Sequence, residues 1–400
     1  MMKNICFLMM KIVTVFACLS FFGCATLQKP SEPVVSKTKP VQSEIEATAE
    51  PKTGPDAPFR ISNVAVSRKS FNPSEGEGVT ISWHISRSSK ALVQIFDRGL
   101  FLVRELMPAD TGNPGVIDVF WDGRDLEGNI VPDEAYFFTI EANEYGGGLT
   151  HYDPVTFSGG KNFDFPVEFD STKEVITYEL SKDSRIFTRA GITHGPLLKT
   201  ILNWAPKPAG VNQDPWDGKD TSGILSVAEQ KGFTIMSDAV TLPENSILTV
   251  GNNDYAYFEY KNELVVDRPV KEERSRVVPD RNPFALQFPR HVREVDELRF
   301  YLKLPQDLEK NEQGYPIVGG KLPVRIYLDK KVKRRATEKR YEIICYVDFK
   351  FITEQEEGYS PSTWILDTKK IPNGEHILTV NISTLKGQMA SASHKIFVQN

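Results

Sequence analysis

The sequence predicts an all-β chain of tandem β-sandwiches that follows a signal peptide and a disordered linker. Three observations lead to this prediction. Apolar and polar residues alternate at the period-two spacing of half-buried strands. The phrase Trp-Asp-Gly-x-Asp occurs twice, separated by the length of one small β-domain. The N-terminus joins a signal-like segment to a proline-rich one.

Residues 1–23 predict an export signal. Lys3 and Lys11 supply positive charge, and an apolar core runs from Ile12 to Phe22. A core of this length is typical of a secretory signal peptide and is short for a membrane-spanning helix.

The residues that end this signal resemble the cleavage box of bacterial lipoproteins. The sequence Leu-Ser-Phe-Phe-Gly-Cys at residues 19–24 carries the resemblance. It implies that Cys24 becomes the lipidated first residue and that its acyl chains hold the protein on a membrane. Ala25 stands where inner-membrane retention is associated with Asp, which favours the outer membrane. The alternative is an ordinary signal peptide with an incidental cysteine.

Residues 24–57 predict a disordered, proline-rich tether. Residues 25–57 contain no aromatic residue and five prolines, at positions 30, 33, 40, 51 and 55. Such a segment buries too little apolar surface to offset the entropy lost on ordering. We expect it to hold the folded part of the chain away from a membrane.

Charge and cysteine content narrow the range of partners. The chain carries a net charge of −5, and loss of residues 1–23 removes two lysines and no acid. An exported acidic chain argues against nucleic acid as a partner. Cys24 and Cys345 remain after cleavage, so a lipidated Cys24 leaves no disulfide within the chain.

Residues 58–160 predict the first sandwich. Val79–Ile85 alternates as a half-buried strand, and further strands are predicted at 91–96, 101–106, 116–120 and 136–142. Asp97-Arg98-Gly99 predicts a hairpin turn in which the glycine is available for a positive φ.

This region resembles the Ig-like domain of the flagellar hook-capping protein. The matching residues are Leu92 to Asp97, Leu102 to Leu106, Trp121 to Asp125, Val131-Pro132 and Ala135 to Phe137. The resemblance implies an immunoglobulin-like sandwich. It implies no activity, because this domain type also occurs in secreted bacterial proteins with no flagellar role.

Residues 169–251 predict a diverged second Ig-like copy. The phrase that begins at Trp121 recurs at Trp216, and Gly128 and Gly223 close the two phrases. Strands are predicted at 175–180, 185–190, 197–204, 233–238 and 246–250.

Residues 252–284 predict a connector, and residues 285–400 predict a third sandwich. Strands are predicted at 298–304, 324–328, 362–367, 376–383 and 391–398, and residues 341–351 alternate as one long strand. Cys345 to Asp348, Trp364 to Thr368 and Pro372 to Val380 resemble another bacterial Ig-like module. Modules of this kind decorate surface proteins and secreted hydrolases.

No residue pattern indicates catalysis or a resident metal. Asp122, Asp125, Glu127, Asp217 and Asp220 could ligate Ca²⁺, but their spacing lacks the later bidentate acid of a calcium loop. We interpret both phrases as turns in which the Trp packs under the rim of the sandwich, the Asp side chain caps the turn, and the Gly adopts a conformation that other residues resist. The six histidines lack zinc spacing, and no Gly-x-Ser-x-Gly elbow occurs. We predict no cofactor, no metal and no enzyme.

The candidate binding surface is a basic segment between two predicted strands. Its basic residues are Lys330, Lys331, Lys333, Arg334, Arg335, Lys339 and Arg340, against the single acid Glu338. An anionic polysaccharide, lipid headgroups or an acidic protein would suit it. The alternative is a solvated loop balanced by Glu354, Glu356 and Glu357. Trp204 either stacks on a sugar or partner or is buried.

The predicted function is therefore that of a lipid-anchored envelope protein, a structural, adhesive or protein-interaction scaffold without catalysis. Its expected partners are a membrane, through the anchor, and a protein or envelope polysaccharide. The alternatives are a carbohydrate-binding accessory lipoprotein and a component of a flagellar or secretion apparatus.

Overall fold

The computed structural model describes residues 58–108, 113–252, 298–329, 340–384 and 387–400. In these ranges the regular structure consists of strands and short 3-10 turns, which confirms the all-β prediction. No helix here is long and apolar enough to cross a membrane. The predicted signal peptide, Cys24, the tether and residues 253–284 of the connector lie outside the described residues.

The first module is a two-sheet sandwich. The sheets have strand orders β1-β3-β6 and β2-β16-β7-β4-β5, and β8 also pairs with β7. The strands are β1 (Ile61–Val66), β2 (Ser70–Phe71), β3 (Val79–Ile85), β4 (Ser89–Phe96), β5 (Leu102–Leu106), β6 (Gly115–Trp121), β7 (Ala135–Glu144), β8 (Leu149–Tyr152) and β16 (Ile247–Thr249). Trp83, Trp121 and Phe138 are buried between the sheets.

The last strand of this sandwich is split. Strand β8 pairs antiparallel with the second half of β7, through Ile140↔Tyr152 to Asn143↔Leu149. The chain then leaves, and β16 returns to pair antiparallel with the start of β7 and parallel with β2. Residues 153–246 are therefore inserted within the final strand of the first module.

The inserted second module is a smaller sandwich. Its sheets have strand orders β10-β11-β14 and β13-β12-β15-β9. The strands are β9 (Asn162–Asp164), β10 (Val167–Asp170), β11 (Val175–Leu180), β12 (Ser184–Ile192), β13 (Leu197–Lys207), β14 (Gly210–Pro215) and β15 (Phe233–Thr241). The strand predicted at 246–250 does not belong to this module, because its Ile247 lies in the core of the first module.

The third module has a continuous final strand. Its sheets have strand orders β17-β19-β22 and β18-β24-β23-β20-β21. The strands are β17 (Phe300–Lys303), β18 (Ile317–Val318), β19 (Lys321–Leu328), β20 (Tyr341–Val347), β21 (Lys350–Gln355), β22 (Ser362–Asp367), β23 (Gly374–Thr384) and β24 (Met389–Val398). Strand β24 pairs with β23 without a break and with β18 in parallel. Strands β18 and β24 thus match β2 and β16 of the first module.

Two local predictions are wrong. Residues 341–351 form the hairpin β20–β21, because Asp348 and Phe349 both adopt positive φ, 47° and 65°, as a tight hairpin turn requires. In the turn after β4, Leu100 takes the positive φ of 66°, not Gly99. There the Asp97 carboxylate accepts the Gly99 and Phe101 amides at 2.8 and 3.0 Å and fixes the loop.

Candidate functional site

The two Trp-Asp-Gly phrases form matching turns. The indole Nε1 atoms of Trp121 and Trp216 each donate to the carbonyl three residues later at 3.0 Å. Gly123 and Gly218 both have φ of 72°, and each is followed by a loop closed by a second glycine of positive φ. Both tryptophans are buried, at 0% and 4% exposure. The phrases therefore close the sandwiches.

The carboxylates of these turns accept backbone amides. Asp125 Oδ1 accepts from Glu127 and Asn129 at 3.0 and 2.9 Å. Asp220 Oδ1 accepts from Ile224 and Leu225 at 2.9 and 3.0 Å. The Asp125 and Asp220 carboxylates therefore cap the backbone N–H groups of their turns, which is the role predicted from the sequence. Across the described ranges no three or more His, Cys, Asp or Glu side chains cluster as a metal site.

The same loop occurs in the third module without a tryptophan. Asn311 Oδ1 accepts the Gln313 and Tyr315 amides at 3.2 and 2.8 Å, and Gly314 takes φ of 83°. The bridge Lys310↔Pro316 matches the bridge Arg124↔Ile130. Sequence comparison missed this turn because Asn replaces Asp and no Trp precedes it.

Trp204 lies in an aromatic cluster where the first two modules meet. Its ring stacks on Phe187 with centroids 5.4 Å apart, and Phe96 stacks on Phe137 at 5.4 Å in the same cluster. Trp204 is 8% exposed, so it is buried rather than presented to a sugar. We call this region, with the charged residues beside it, the first joint.

A buried triad of charges completes the first joint. Glu134 Oε2 lies 2.6 Å from Arg98 Nε, and Glu134 Oε1 contacts Arg185 Nη1. Arg185 also donates to the Ala135 carbonyl at 3.0 Å. Burial raises the pKa of Glu134, but attraction by Arg185 and Arg98 outweighs it, so the pKa lies below 4.5. Arg98 and Glu134 come from the first module and Arg185 from the second.

The second joint links the second and third modules through a side-chain amide. Asn381 Oδ1 accepts the Leu197 amide at 2.9 Å, and Asn381 Nδ2 donates to the Leu197 carbonyl at 2.8 Å. Asn381 thus pairs with the backbone of β13 as a neighbouring strand would. Phe349 and Ile377 of the third module pack against the core of the second module.

Cys345 and His376 both have structural surroundings. Cys345 is 2% exposed, and burial raises the pKa of its thiol to about 12, which suppresses the reactive thiolate. His376 Nδ1 lies 2.6 Å from Asp348 Oδ2, and its Nε2 lies 2.8 Å from the Pro372 carbonyl. These contacts hold the Asp348–Phe349 turn at the second joint.

The predicted basic segment falls largely outside the described residues. This applies to Lys330, Lys331, Lys333, Arg334, Arg335 and Lys339, whereas Arg340 immediately precedes β20. The binding role of this segment stays a prediction.

The outer face of the sheet β17-β19-β22 is the candidate interaction surface. Register places Tyr301 opposite Tyr327 and Lys303 opposite Arg325. The tyrosine rings stack with centroids 5.3 Å apart and planes 8° apart, and Lys303 Nζ lies 5.5 and 5.3 Å from the two centroids. Tyr301, Lys303, Arg325, Tyr327 and Ile365 define what we call the tyrosine face.

Much of this face is open to solvent. Tyr301 is 44% exposed and Ile365 is 52% exposed, and Lys303 and Arg325 are also exposed. No described carboxylate lies within ion-pair distance of Lys303 or Arg325, whereas Lys321 at the start of β19 pairs with Asp367 at 2.9 Å. The sequence predicts strands for all five residues, but the face they form depends on the pairing of β17, β19 and β22.

The described structure is a tandem array of immunoglobulin-like sandwiches. No protein-family model and no curated protein matches the chain. Among solved structures, it is similar to a tetra-tandem repeat from the extending region of a large adhesion protein. The identity is 10%, the match covers 86% of this chain and 74% of that chain, and the TM-score is 0.20.

Two further solved structures are similar. The fibronectin(III)-like modules of Clostridium thermocellum CbhA match at 17% identity over 25% of this chain and 96% of that chain, with a TM-score of 0.18. The central fibronectin-III array of RIM-binding protein matches at 10% identity over 87% of this chain and 99% of that chain, with a TM-score of 0.17. These similarities support no statement about function.

Proposed function

We propose that this chain is a lipid-anchored, non-catalytic scaffold of the bacterial cell envelope. The observation that carries the proposal is the pair of buried joints. Trp204, Glu134 and Arg185 are buried in the first joint, where they couple one sandwich to the next. Coupled modules suit a protein that holds a surface in a fixed place.

Sequence supplies the anchoring part of this proposal. Cys24 is the proposed lipidation site, residues 24–57 are the tether, and the outer membrane is the proposed destination. The basic segment Lys330 to Arg340 is a proposed contact for an anionic partner. The hook-capping resemblance supports the kind of domain, and a flagellar role has no further observation in its favour.

Cell fractionation tests the anchor. We expect a Cys24→Ser chain to leave the membrane fraction and to lose labelling by a palmitate analogue, while the wild-type chain keeps both. A matched Cys345→Ser variant should remain labelled and membrane-bound. Wild-type chain found free in the soluble fraction would contradict the anchor.

A substrate screen tests the non-catalytic role. We expect the purified chain to release no product from envelope polysaccharides or peptides. Turnover that rises with protein concentration and disappears on unfolding would overturn the scaffold proposal.

A further inference from the structure

We infer that the tyrosine face binds an acidic polysaccharide of the polyuronate type. This inference rests on the proposed scaffold function and assigns it a ligand class. It is carried by the tyrosine pair, by two cations in register, and by the contrast with the corresponding faces of the other modules.

The tyrosine pair offers apolar surface beside the two cations, with Tyr301 exposed and Tyr327 half-buried. Tyr301 and Tyr327 are direct cross-strand neighbours, and their rings lie 8° from parallel. Because the rings stack on each other, the surface open to a ligand is mainly the exposed part of Tyr301. The C–H face of a pyranose ring is apolar and similar in size to an aromatic ring, so it can pack there and remove apolar surface from water. Ile365, 52% exposed, lies opposite Pro323 and is a separate apolar contact on the far side of Arg325 from the tyrosine pair.

The cations beside this platform select for negative charge. Lys303 and Arg325 face each other across β17 and β19, and like charges in direct register destabilise a sheet. Proximity of Lys303 to both rings offsets part of that repulsion through cation–π attraction. A bound anion would offset the remaining repulsion between Lys303 and Arg325. A guanidinium can also hold a carboxylate in bidentate geometry.

The corresponding faces of the other modules carry the opposite charge. On the first module, Asp118 lies opposite Ser82 on the outer face of β3 and β6. On the second module, Glu168 and Glu179 project from β10 and β11. The three sheets share one architecture, so two cations beside paired tyrosines are specific to the third module. In a chain of net charge −5 they form a local positive site.

These features together describe the ligand. It has repeating apolar ring faces and carboxylates spaced along the chain. A neutral glycan would leave Lys303 and Arg325 unpaired, and a lipid headgroup would not use the exposed ring surface of Tyr301. A polyuronate uses both.

Affinity electrophoresis of the purified full chain in gels containing polygalacturonate tests the inference. We expect the wild-type chain to be retarded. A Lys303→Glu/Arg325→Glu double variant should lose affinity on the order of tenfold or more, because it removes two charge-assisted contacts. A Tyr301→Ala/Tyr327→Ala variant should lose a comparable factor. Retardation of the wild type should weaken as salt is raised.

Matched variants in the same module control for folding and overall charge. Lys350→Glu alters an exposed lysine of β21, and Tyr359→Ala removes a tyrosine that is 58% exposed. Both should bind like the wild type, and circular dichroism should show every variant folded. Dextran, a neutral polymer, should give no retardation.

Four results would overturn the inference. They are no retardation of the wild type, equal loss in the Lys350→Glu variant, equal retention by dextran, and stronger retention by single-stranded DNA than by polygalacturonate. A chain that is membrane-anchored in cells and fails this assay would refute the ligand and leave the anchored scaffold standing. A chain that binds polygalacturonate but is found free in the soluble fraction would refute the membrane anchor and leave the ligand assignment standing.

Discussion

The two joints of this protein couple their modules by different physical means. The first joint is crossed twice by the backbone, because the second module is inserted in the final strand of the first, and it buries stacked aromatic rings and the Arg98–Glu134–Arg185 triad. The second joint pairs Asn381 with the backbone of Leu197 and adds apolar contacts of Phe349 and Ile377. Both belong to one compact unit of the chain.

The first joint should be the more sensitive of the two to a single substitution. In the first joint, removal of one charge leaves others buried without compensation, and this costs more free energy than the ion pair itself contributes. In the second joint, the groups at risk are a neutral amide and a peptide, whose desolvation costs less.

We expect Glu134→Ala to reduce the free energy of unfolding by about 3–5 kcal/mol, because Arg98 and Arg185 would stay buried without their shared carboxylate. Urea unfolding followed by tryptophan fluorescence measures this. Glu105→Ala, on the exposed face of β5, is the matched control and should change stability by less than about 0.5 kcal/mol. Equal effects of the two substitutions would refute the role of the triad.

The same triad predicts sensitivity to acid. The folded-state pKa of Glu134 lies below its ordinary value of 4.5, so its stabilising contribution is fully present above that pH and is lost as pH falls through the folded pKa. Urea midpoints measured between pH 7 and pH 3 should fall more steeply for the wild type than for Glu134→Ala. Parallel curves would contradict the prediction.

At the second joint, we expect Asn381→Ala to cost about 1–3 kcal/mol, because the buried N–H and C=O of Leu197 lose their partner. Hydrogen exchange should report faster exchange of the Leu197 amide. Asn143→Ala is the matched control, because the Asn143 side-chain amide donates only to the exposed Glu141. It should leave the Leu197 backbone amide protected from exchange. Unchanged Leu197 protection in Asn381→Ala would show that the side chain does not hold this joint.

The repeated turns should give the smallest effect. We expect Asp125→Ala and Asp220→Ala each to cost about 1 kcal/mol through lost amide caps, in modules on either side of the first joint. Because the carboxylates serve as caps, neither Ca²⁺ nor EDTA should shift the Tm of the wild-type chain. A Ca²⁺-dependent rise in Tm that Asp125→Ala abolishes would instead make the turn a metal site.

Local sequence pattern predicted the strands well and their partners poorly. Alternation over Val79–Ile85 identifies a strand because one face meets a core. Residues 247–249 also read as a strand, but only the fold decides that they pair with β7 in the first module rather than with the second. The hairpin at Asp348 was missed because an alternating pattern can continue across a two-residue turn that lacks glycine.

The candidate surface shows the same limit. Tyr301 and Tyr327 lie in strands that the sequence predicts, separated by intervening loops and turns. Pairing of β17 with β19 is needed to place the rings side by side and to bring Lys303 opposite Arg325. The role of Trp204 was ambiguous for a related reason. In sequence alone, an aromatic residue that packs in a module interface looks the same as one that contacts a ligand.

The split final strand also has a consequence for assembly. The chain is synthesised from its N-terminus, so Ile247–Thr249 emerges only after the whole second module has been made. Until then the first half of β7 lacks the neighbour that β16 provides, and an open strand edge invites pairing with other chains. The second sandwich can close on its own strands while the first waits, so the inserted module is free to finish folding before the one that contains it.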